Sequence, residues 1–284
     1  MCATCGCSGT AVVRLMVADP GERPAGHRHS AGSHARHAHA HDHGPQAGHE
    51  HEADHEHILE SAGHGRTVEL QQKVLAKNDA IAQLNRDWLA ERSILAVNLM
   101  SSPGAGKTTL LERTARDLAG QLTISVIEGD QETALDARRI LAVGSRVVQI
   151  NTGAGCHLDA EMVARGLRAL DPPGGSFVVI ENVGNLVCPA LFDLGEEARV
   201  VLASVPEGTD KPLKYPHMFR QADLVLLNKT DLLPYVDFDV RQYAADVRRV
   251  SPSALMLRLS ATTGDGIREW YDWLRRRMPV PREA

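Results

Sequence analysis

The sequence predicts an α/β domain, a mostly parallel sheet with helices on both faces, preceded by a long disordered segment. Three observations lead to this prediction. Apolar residues make up 43% of the chain and aromatic residues only 4%, which favours packing of small side chains in α/β layers over an aromatic-rich β-sandwich. Short runs of Val, Ile and Leu alternate with amphipathic stretches. The composition also changes sharply near residue 67.

Charge and hydropathy exclude several functional classes. With 31 basic and 36 acidic residues, the formal net charge is −5, which argues against a nucleic-acid binder. No stretch approaches the roughly 20 consecutive apolar residues that a membrane span requires. The first twenty residues lack a basic stretch followed by a long apolar run, so they do not resemble a secretory signal. We therefore expect a cytoplasmic protein that does not bind a membrane.

Metal-binding residue types are concentrated near the N-terminus. Three of the five cysteines form a Cys-x-x-Cys-x-Cys tip, and twelve of the fourteen histidines lie between His27 and His64. Residues 8–66 carry almost no large apolar side chains, and such a segment cannot bury enough surface to offset the entropy lost on ordering. We therefore predict a Cys-rich metal-binding tip at 1–7 and a His-rich metal-binding segment, disordered without metal, at 8–66.

The rest of the chain, 67–284, is predicted to be one domain with a lead-in helix. From Thr67 to Leu89, apolar residues recur at spacings of three, four and seven, which is typical of one helix face. Seven predicted strands follow, at 93–100, 122–129, 146–150, 176–182, 198–205, 222–229 and 254–260. Amphipathic stretches lie between most of them, at 107–119, 131–141, 158–169, 212–220, 238–250 and 265–277. Such alternation is typical of a parallel sheet covered on both faces.

A phosphate-binding loop follows the first of these strands. Residues 101–109 read SSPGAGKTT, which matches G-x-x-x-x-G-K-[ST] except that Ser101 replaces the first glycine. The glycines let backbone N–H groups approach phosphate oxygens, Lys107 reaches the β and γ phosphates, and the Thr108 hydroxyl can ligate Mg²⁺ at a helix N-terminus. The predicted phosphate-binding residues are Gly104, Ala105, Gly106, Lys107, Thr108 and Thr109.

A second pattern selects the base. Residues 228–231, Asn-Lys-Thr-Asp, end a predicted strand as an N-K-x-D tetrad, in which the Asp231 carboxylate accepts hydrogen bonds from N1–H and the 2-amino group of guanine. Adenine offers no such donor pair, so it would leave a buried carboxylate unpaired. Ser260-Ala261-Thr262 is placed as the companion loop that approaches the base through its backbone. The predicted guanine-binding residues are Asn228, Lys229, Asp231, Ser260 and Ala261, and the predicted nucleotide is therefore GTP, bound by a P-loop GTPase domain.

Two further strand ends carry candidate nucleotide-sensing residues. Asp130 ends the second predicted strand and is placed to bind Mg²⁺ directly or through water, although a helix N-cap is an alternative interpretation. Glu181 and Gly184 end a later strand, where the Gly184 N–H can turn toward a γ-phosphate. An ordinary strand-end turn is the alternative there. Lys107 and Asp130 are the predicted catalytic residues.

The N-terminal segments suit two kinds of metal binding. Cys2, Cys5 and Cys7, with the α-amine, offer mixed sulfur and nitrogen ligands that suit square-planar Ni²⁺, whereas Zn²⁺ would usually recruit a matched second pair. The histidines have no single geometry and should hold several labile ions, as a store rather than a catalytic site. Incidental cysteines and a solvated linker remain the alternatives.

A third candidate metal site lies inside the domain. Cys156 and His157 follow a glycine-rich turn after a strand, and Cys188 lies seven residues beyond Glu181. A single buried cysteine is usually a small core residue. The adjacent His157, and the position of Cys188 in the nucleotide-sensing segment, favour a site whose metal affinity depends on the nucleotide.

Together these residues resemble the HypB family of nickel-incorporation GTPases that act in hydrogenase maturation. The resemblance rests on MCATCGC, the His-rich segment, SSPGAGKTT, EGDQET, NTGAGCHLDA, ENVGNLVCP, SVPEGTDKPLKYP and NKTD. It implies a GTP-dependent homodimer that works with other hydrogenase-maturation factors and helps deliver nickel to the hydrogenase large subunit. It also implies a tight N-terminal nickel site and a weaker Ni²⁺ or Zn²⁺ site at Cys156, His157 and Cys188 near the dimer interface.

The same resemblance assigns roles at matching positions. Lys107 and Thr108 serve phosphate and Mg²⁺, Asp130 serves the metal-bound nucleotide, and Asp231 serves guanine. Related dimerising nucleotide switches often carry a second lysine where this chain has Ser102, so activation by that lysine is not expected here. The nearest substitutes are Lys211 and Lys214, unless they are ordinary surface lysines.

The expected enzyme hydrolyses GTP to GDP and phosphate slowly, because no arginine finger is evident. Two alternative functions remain open at this point. One is a nickel storage protein with a regulatory GTPase domain, and the other is a zinc-delivering relative of the same GTPases.

Overall fold

The computed structural model describes residues 11–16, 57–130, 135–153 and 155–279. Its strands are β1 (Val12–Met16), β2 (Leu95–Ser101), β3 (Ile124–Asp130), β4 (Arg146–Asn151), β5 (Phe177–Glu181), β6 (Ala198–Ser204), β7 (Leu224–Asn228) and β8 (Leu255–Arg258). Its α-helices are α1 (His57–Glu91), α2 (Lys107–Asp117), α3 (Leu135–Ala142), α4 (Ala160–Leu170), α5 (Lys211–Lys214), α6 (Pro216–Arg220), α7 (Val240–Val250) and α8 (Ile267–Arg277).

These strands form one sheet in the order β1-β4-β3-β5-β2-β6-β7-β8. The seven strands from β2 to β8 run parallel, whereas β1 pairs antiparallel with β4 at the edge of the sheet. In that edge pair, Val12 lies opposite Asn151 and Met16 opposite Val147. Because parallel strands end at one edge, the loops after β2, β3, β5 and β7 meet there.

Alternate residues of the strands pack into opposite layers. On β2, Val97 packs in a core cluster that includes Leu110 of α2 and Trp270 of α8. Its neighbour Ala96 packs on the other face in a cluster that includes Leu89 of α1 and residues of α4. Helices therefore cover both faces of the sheet, which confirms the predicted α/β class.

All seven predicted strands of the domain are present, and three elements differ from expectation. The helix expected at 212–220 is broken into α5 and α6, because Pro216 has no N–H with which to continue a helical ladder. α1 begins at His57, before Thr67, where its apolar periodicity starts. β1 lies within the segment expected to lack order, where the short apolar stretch Val12–Met16 pairs with β4.

The chain divides into two units. One comprises residues 1–18 and 73–284 and contains the sheet. The other comprises residues 19–72, of which the described part is the helical backbone from residue 57. Among the described helices, none combines the length and the apolar character that crossing a bilayer requires.

Candidate functional site: a phosphate cleft beside a metal-ligand cluster

The phosphate loop connects β2 to α2 and depends on two glycines with positive φ. Gly104 has φ 76° and Gly106 has φ 102°, a region that side chains rarely adopt. A Cβ atom on Gly106 would also lie 2.6 Å from Nδ2 of Asn228. The sequence Pro-Gly-Ala-Gly therefore forms a tight loop that presents its backbone at the N-terminus of α2, the geometry expected for phosphate binding.

Lys107, which directly follows this loop, is held by Ser101, the residue that replaces the first glycine of the phosphate-loop pattern. Its Nζ donates to Oγ of Ser101 at 2.9 Å, and Ser101 is fully buried. The Ser101 hydroxyl in turn donates to the backbone carbonyl of Ser102 at 2.6 Å. A glycine at position 101 could not provide this contact, so the substitution orients the lysine.

A cleft of about 530 Å³ opens in front of the loop. This volume lies within the range of small-molecule sites. The predicted residues that line it are Gly104, Gly106, Lys107, Thr108, Thr109, Asp130, Glu181, Gly184 and Lys229. The lining residues that sequence reasoning missed are Pro103, Glu128, Gly129, Asp136, Arg139, Asn182 and Val183. Ala105 is fully buried behind the loop instead of lining the cleft.

Two buried carboxyl groups face each other across β3 and β5. Glu128 and Glu181 are register partners, 3% and 4% exposed. Burial, together with the neighbouring carboxylates, raises the pKa of Glu128 to about 9, against the opposing effect of Lys107. Burial raises the pKa of Glu181 to about 7, while Lys107 and the Thr108 hydroxyl oppose the shift.

This carboxyl pair suits a divalent cation. One oxygen of each group, Oε2, is buried without a hydrogen-bond partner among the described residues. The Thr108 hydroxyl lies 3.3 Å from the other oxygen of Glu181. Oxygen ligands of this kind match Mg²⁺, whose charge would favour the ionised carboxylates. When bound with nucleotide, Mg²⁺ would supply positive charge to the phosphates.

Arg139 is the cationic side chain that sequence reasoning missed at this cleft. It lies on α3, and its guanidinium donates to Oγ1 of Thr109 at 3.2 Å and to the Glu112 carboxylate at 2.7 and 3.0 Å. A further bond of 3.3 Å joins it to Asp136. The i, i+3 spacing of Asp136 and Arg139 on a short helix after β3 was the available signal. Lys211 and Lys214 do not line the cleft of their own chain, and their action across a dimer stays a prediction.

The tetrad after β7 binds back to the phosphate loop. Nδ2 of Asn228 donates to the Ala105 carbonyl at 2.9 Å, and its Oδ1 accepts from the Ala261 N–H at 3.0 Å. Lys229, with φ 60°, donates from Nζ to the Gly104 carbonyl at 2.7 Å. The phosphate loop and the Ser260-Ala261 loop are therefore joined through one amide, and the half-buried Asp231 follows them on the adjoining turn.

A three-residue cluster with metal-ligand chemistry lies at the same edge of the sheet. One ligand atom from each of Cys156, His157 and Cys188 lies within 4.8 Å of the others. Sγ of Cys156 is 3.7 Å from Nδ1 of His157. The His157 ring stacks on Phe192, with ring centroids 4.0 Å apart. Burial lowers the pKa of His157, which favours the neutral imidazole that binds metals.

The N-terminal candidates lie elsewhere in the chain. Cys2, Cys5, Cys7 and the histidines from His27 to His55 fall outside the described residues.

The phosphate loop, the tetrad and the parallel sheet define a P-loop nucleotide-binding protein of the GTPase class. Residues 95–258 match the family model described as CobW/HypB/UreG, nucleotide-binding domain. HypB, a hydrogenase maturation factor from Rhizobium leguminosarum bv. viciae, is 54% identical over 209 residues, which cover 74% of this chain and 70% of that protein. The chain belongs to the HypB family of hydrogenase maturation factors.

More distant relatives match a similar share of the chain. The hydrogenase/urease maturation factor HypB of Helicobacter pylori is 38% identical over 213 residues, 74% of this chain and 87% of that protein. A crystal structure of HypB from Archaeoglobus fulgidus has a TM-score of 0.67 at 41% identity and covers 71% of this chain and 98% of its own. The crystal structure of Helicobacter pylori HypB in complex with nickel has a TM-score of 0.66 at 37% identity and covers 73% of this chain and 100% of its own.

Proposed function

We propose that this protein is a GTP-hydrolysing nickel metallochaperone that helps insert nickel into the hydrogenase large subunit. The observation that carries the proposal is the cluster of Cys156, His157 and Cys188 at the sheet edge that also holds the phosphate cleft. A carrier whose cargo release depends on a nucleotide needs these two sites close together. The nickel complex of the Helicobacter pylori relative supports nickel as the cargo.

The nucleotide half of the proposal assigns roles to the residues of the cleft. Lys107 and the backbone of 104–109 bind the β and γ phosphates of GTP. Thr108, with Asp130 and Glu181, holds Mg²⁺ at the phosphates, and Asp231 selects guanine. Hydrolysis yields GDP and phosphate at a slow intrinsic rate, so that the nucleotide acts as a timer.

The metal half uses three sets of ligands. Cys2, Cys5 and Cys7 hold one Ni²⁺ tightly, and the histidines from His27 to His64 hold several ions weakly, as a store. The Cys156, His157 and Cys188 cluster holds the ion that is delivered, and its thiolate and imidazole ligands also suit Zn²⁺. We assign the protein to the cytoplasm, as a GTP-dependent homodimer that works with other hydrogenase-maturation factors.

A lysine substitution separates delivery from storage. In cells that depend on this protein, Lys107→Ala should abolish nickel incorporation into the hydrogenase large subunit, measured as metal content and hydrogenase activity. Lys77→Ala, an exposed lysine on α1 whose side chain is 75% exposed, is the matched control and should mature hydrogenase normally.

The alternative of a nickel store with a regulatory GTPase domain has one observation in its favour, the concentration of twelve of the fourteen histidines at His27–His64. A store would still sequester nickel when Lys107 is replaced, and hydrogenase maturation would not depend on that lysine. Normal maturation in that variant would therefore reject the chaperone function and favour the store.

A further inference from the structure

A single buried side chain contacts both the nucleotide-sensing segment, residues 182–184, and the metal turn, residues 156–158. Asn182 directly follows β5 and is 1% exposed. Its Oδ1 accepts two backbone N–H groups, from Val183 at 3.0 Å and from Leu158 at 3.1 Å. Leu158 is the residue after His157, so one oxygen atom joins two segments of the candidate site.

The first of these segments faces the phosphates. Asn182, Val183 and Gly184 all line the cleft. Gly184 lies against the phosphate loop so closely that a Cβ on it would be 3.2 Å from the backbone nitrogen of Pro103. A γ-phosphate bound in this cleft would therefore meet the 182–184 backbone directly.

The second segment carries two metal ligands and cannot move independently of its neighbours. Leu158 is fully buried, and its side chain packs so closely on Gly129 that a Cβ there would be 2.8 Å from the leucine Cγ. The Cys156 carbonyl also accepts from Nδ2 of Asn185 at 3.4 Å.

The other end of the Asn182 amide connects toward Cys188. Nδ2 of Asn182 donates to Oδ1 of Asn98 at 3.4 Å, and Nδ2 of Asn98 donates to Glu196 at 3.2 Å. The second oxygen of Glu196 accepts from the backbone N–H of Leu194 at 2.7 Å. Leu194 lies two residues beyond Phe192, on which the His157 ring stacks. The network therefore reaches the turn of Cys156 and His157 and, on its other side, the chain six residues beyond Cys188.

We propose that Asn182 is the positioning residue that couples the nucleotide state to the geometry of the Cys156, His157 and Cys188 cluster. A shift of the Val183 N–H toward a γ-phosphate displaces Oδ1 of Asn182, the oxygen that accepts both N–H groups. The Leu158 N–H must then move with this oxygen or lose its hydrogen bond in a buried setting. Either response alters where Cys156 and His157 lie relative to Cys188. This inference rests on the proposed function, in that it requires GTP in the cleft and Ni²⁺ at the cluster.

The test measures nickel affinity at this cluster in the full-length protein. In every protein compared, three N-terminal cysteines are replaced by Ser: Cys2, Cys5 and Cys7. The remaining thiols are then those of the cluster, so thiolate-to-nickel absorption reports this site alone while the histidines bind without that signal. Nickel is titrated against a competing chelator, with GDP and with a non-hydrolysable GTP analogue.

With Asn182 present, we expect the two nickel dissociation constants to differ by about 5-fold or more, as typical couplings do. In Asn182→Ala the ratio should fall below about 2-fold while both nucleotides and nickel still bind. Gln242→Ala is the control, because this side-chain amide donates to Asp246 on α7 at 3.0 Å and belongs neither to the cleft nor to the metal cluster. It should keep the full ratio. A ratio retained in Asn182→Ala, or lost equally in Gln242→Ala, would overturn the proposal.

A second measurement needs no substitution of Asn182. Hydrogen exchange resolved to single amides should show the Leu158 and Val183 N–H groups changing protection together when GDP is replaced by the GTP analogue. A change at Val183 with none at Leu158 would also overturn the proposal. Failure of the proposed function looks different, because Cys188→Ala would then leave the nickel signal intact or GTP would not bind at all.

Discussion

Asp231 is the residue on which base selectivity should depend. Replacing it with Asn exchanges an acceptor oxygen for a donor group that faces the donors of guanine. We expect Asp231→Asn to lower GTP affinity by a few kcal/mol, because the base would leave unpaired donors in the site. Calorimetry of GTP and ATP binding measures the change, with Asp237→Asn, at an exposed position beyond the tetrad, as the control. Unchanged GTP affinity in Asp231→Asn would contradict the assignment.

Glu181 and Glu128 should make stability depend on pH. Their pKa values of about 7 and about 9 lie above the unfolded value, so the folded protein holds more protons than the unfolded chain in this range. The free energy of unfolding should therefore fall as pH rises above about 5, by up to about 1.4 kcal/mol per pH unit for each carboxyl group. The Glu181 contribution levels off above its pKa of about 7, and that of Glu128 above its pKa of about 9. A Mg²⁺ ion held by these carboxylates would favour the ionised form and reduce this loss.

Thermal unfolding across that range, with and without Mg²⁺, checks the prediction. Glu181→Gln should reduce the slope between about pH 5 and pH 7, leaving the part that Glu128 contributes, and Glu269→Gln, an exposed glutamate on α8, should not reduce it. If the slope between about pH 5 and pH 7 is unchanged in Glu181→Gln, the buried carboxyl at position 181 does not contribute to it.

Hydrogen bonds between motifs that are distant in sequence could not be predicted from the motifs themselves. The tetrad indicated that Asn228 serves the nucleotide, yet the pattern contains nothing to show that its amide joins Ala105 to Ala261. Asn182 stood in the quoted ENVGN stretch without an assigned role, because its partner Leu158 is 24 residues away in sequence. A motif reports what a segment presents to a ligand, whereas contacts between motifs depend on how the strands are ordered in the sheet.

At the scale of elements, α1 does more than lead into the domain. Asn78 and Asn85 lie two turns apart on it, and Asn85 donates to the carbonyls of Ala160 and Leu194 at 2.8 and 3.0 Å. Asn78 accepts the Ala160 N–H at 2.9 Å and donates to the Asp193 carbonyl at 2.7 Å. The helix therefore holds the start of α4, just after the metal turn, against the loop that follows Cys188.

Loss of these bonds should loosen the metal cluster. Asn85→Ala removes two buried hydrogen bonds and should lower the free energy of unfolding by about 2–3 kcal/mol. It should also weaken nickel binding at the cluster, since ligand placement depends on both held segments. Asp79→Ala, an exposed position on the same helix, is the control for helix stability. Chemical unfolding and chelator competition measure the two effects. If the Asn85→Ala protein is destabilised but keeps its nickel affinity, α1 supports the fold and does not place the metal ligands.

The elements themselves were largely predictable, and the exceptions have physical reasons. Periodicity located the seven parallel strands because each is a short apolar run, mostly buried in β2 to β7 and partly exposed in the edge strand β8. The edge strand Val12–Met16 has five residues, and its two valines and Leu15 are at least partly exposed, so local sequence gave little indication of a strand that pairing with β4 stabilises. The apolar periodicity continues through Pro216, so it predicted one helix. The missing N–H of Pro216 instead divides this stretch into α5 and α6.

At the scale of the whole molecule, storage and delivery should be separable without shortening the chain. Replacing the ten histidines from His27 to His55 with Gln leaves β1, α1 and the cysteine tip in place. We expect the number of weakly bound nickel ions to fall while the tightest site and its thiolate absorption remain. Equilibrium dialysis with absorption spectroscopy measures both. Disappearance of the tight site from this variant would place imidazole among its ligands.

The pairing of β1 with β4 sets an upper limit on the distance between Cys7 and the end of β4. Because the two strands are antiparallel, Val12 lies opposite Asn151, at the end of β4 from which the chain continues to Cys156. Cys7 precedes Val12 by five residues, which span at most about 17 Å when extended. The two sets of cysteines in one chain therefore meet at an effective concentration that is set by the length of the segment between Cys7 and β1. Dilution of the protein does not change this effective concentration.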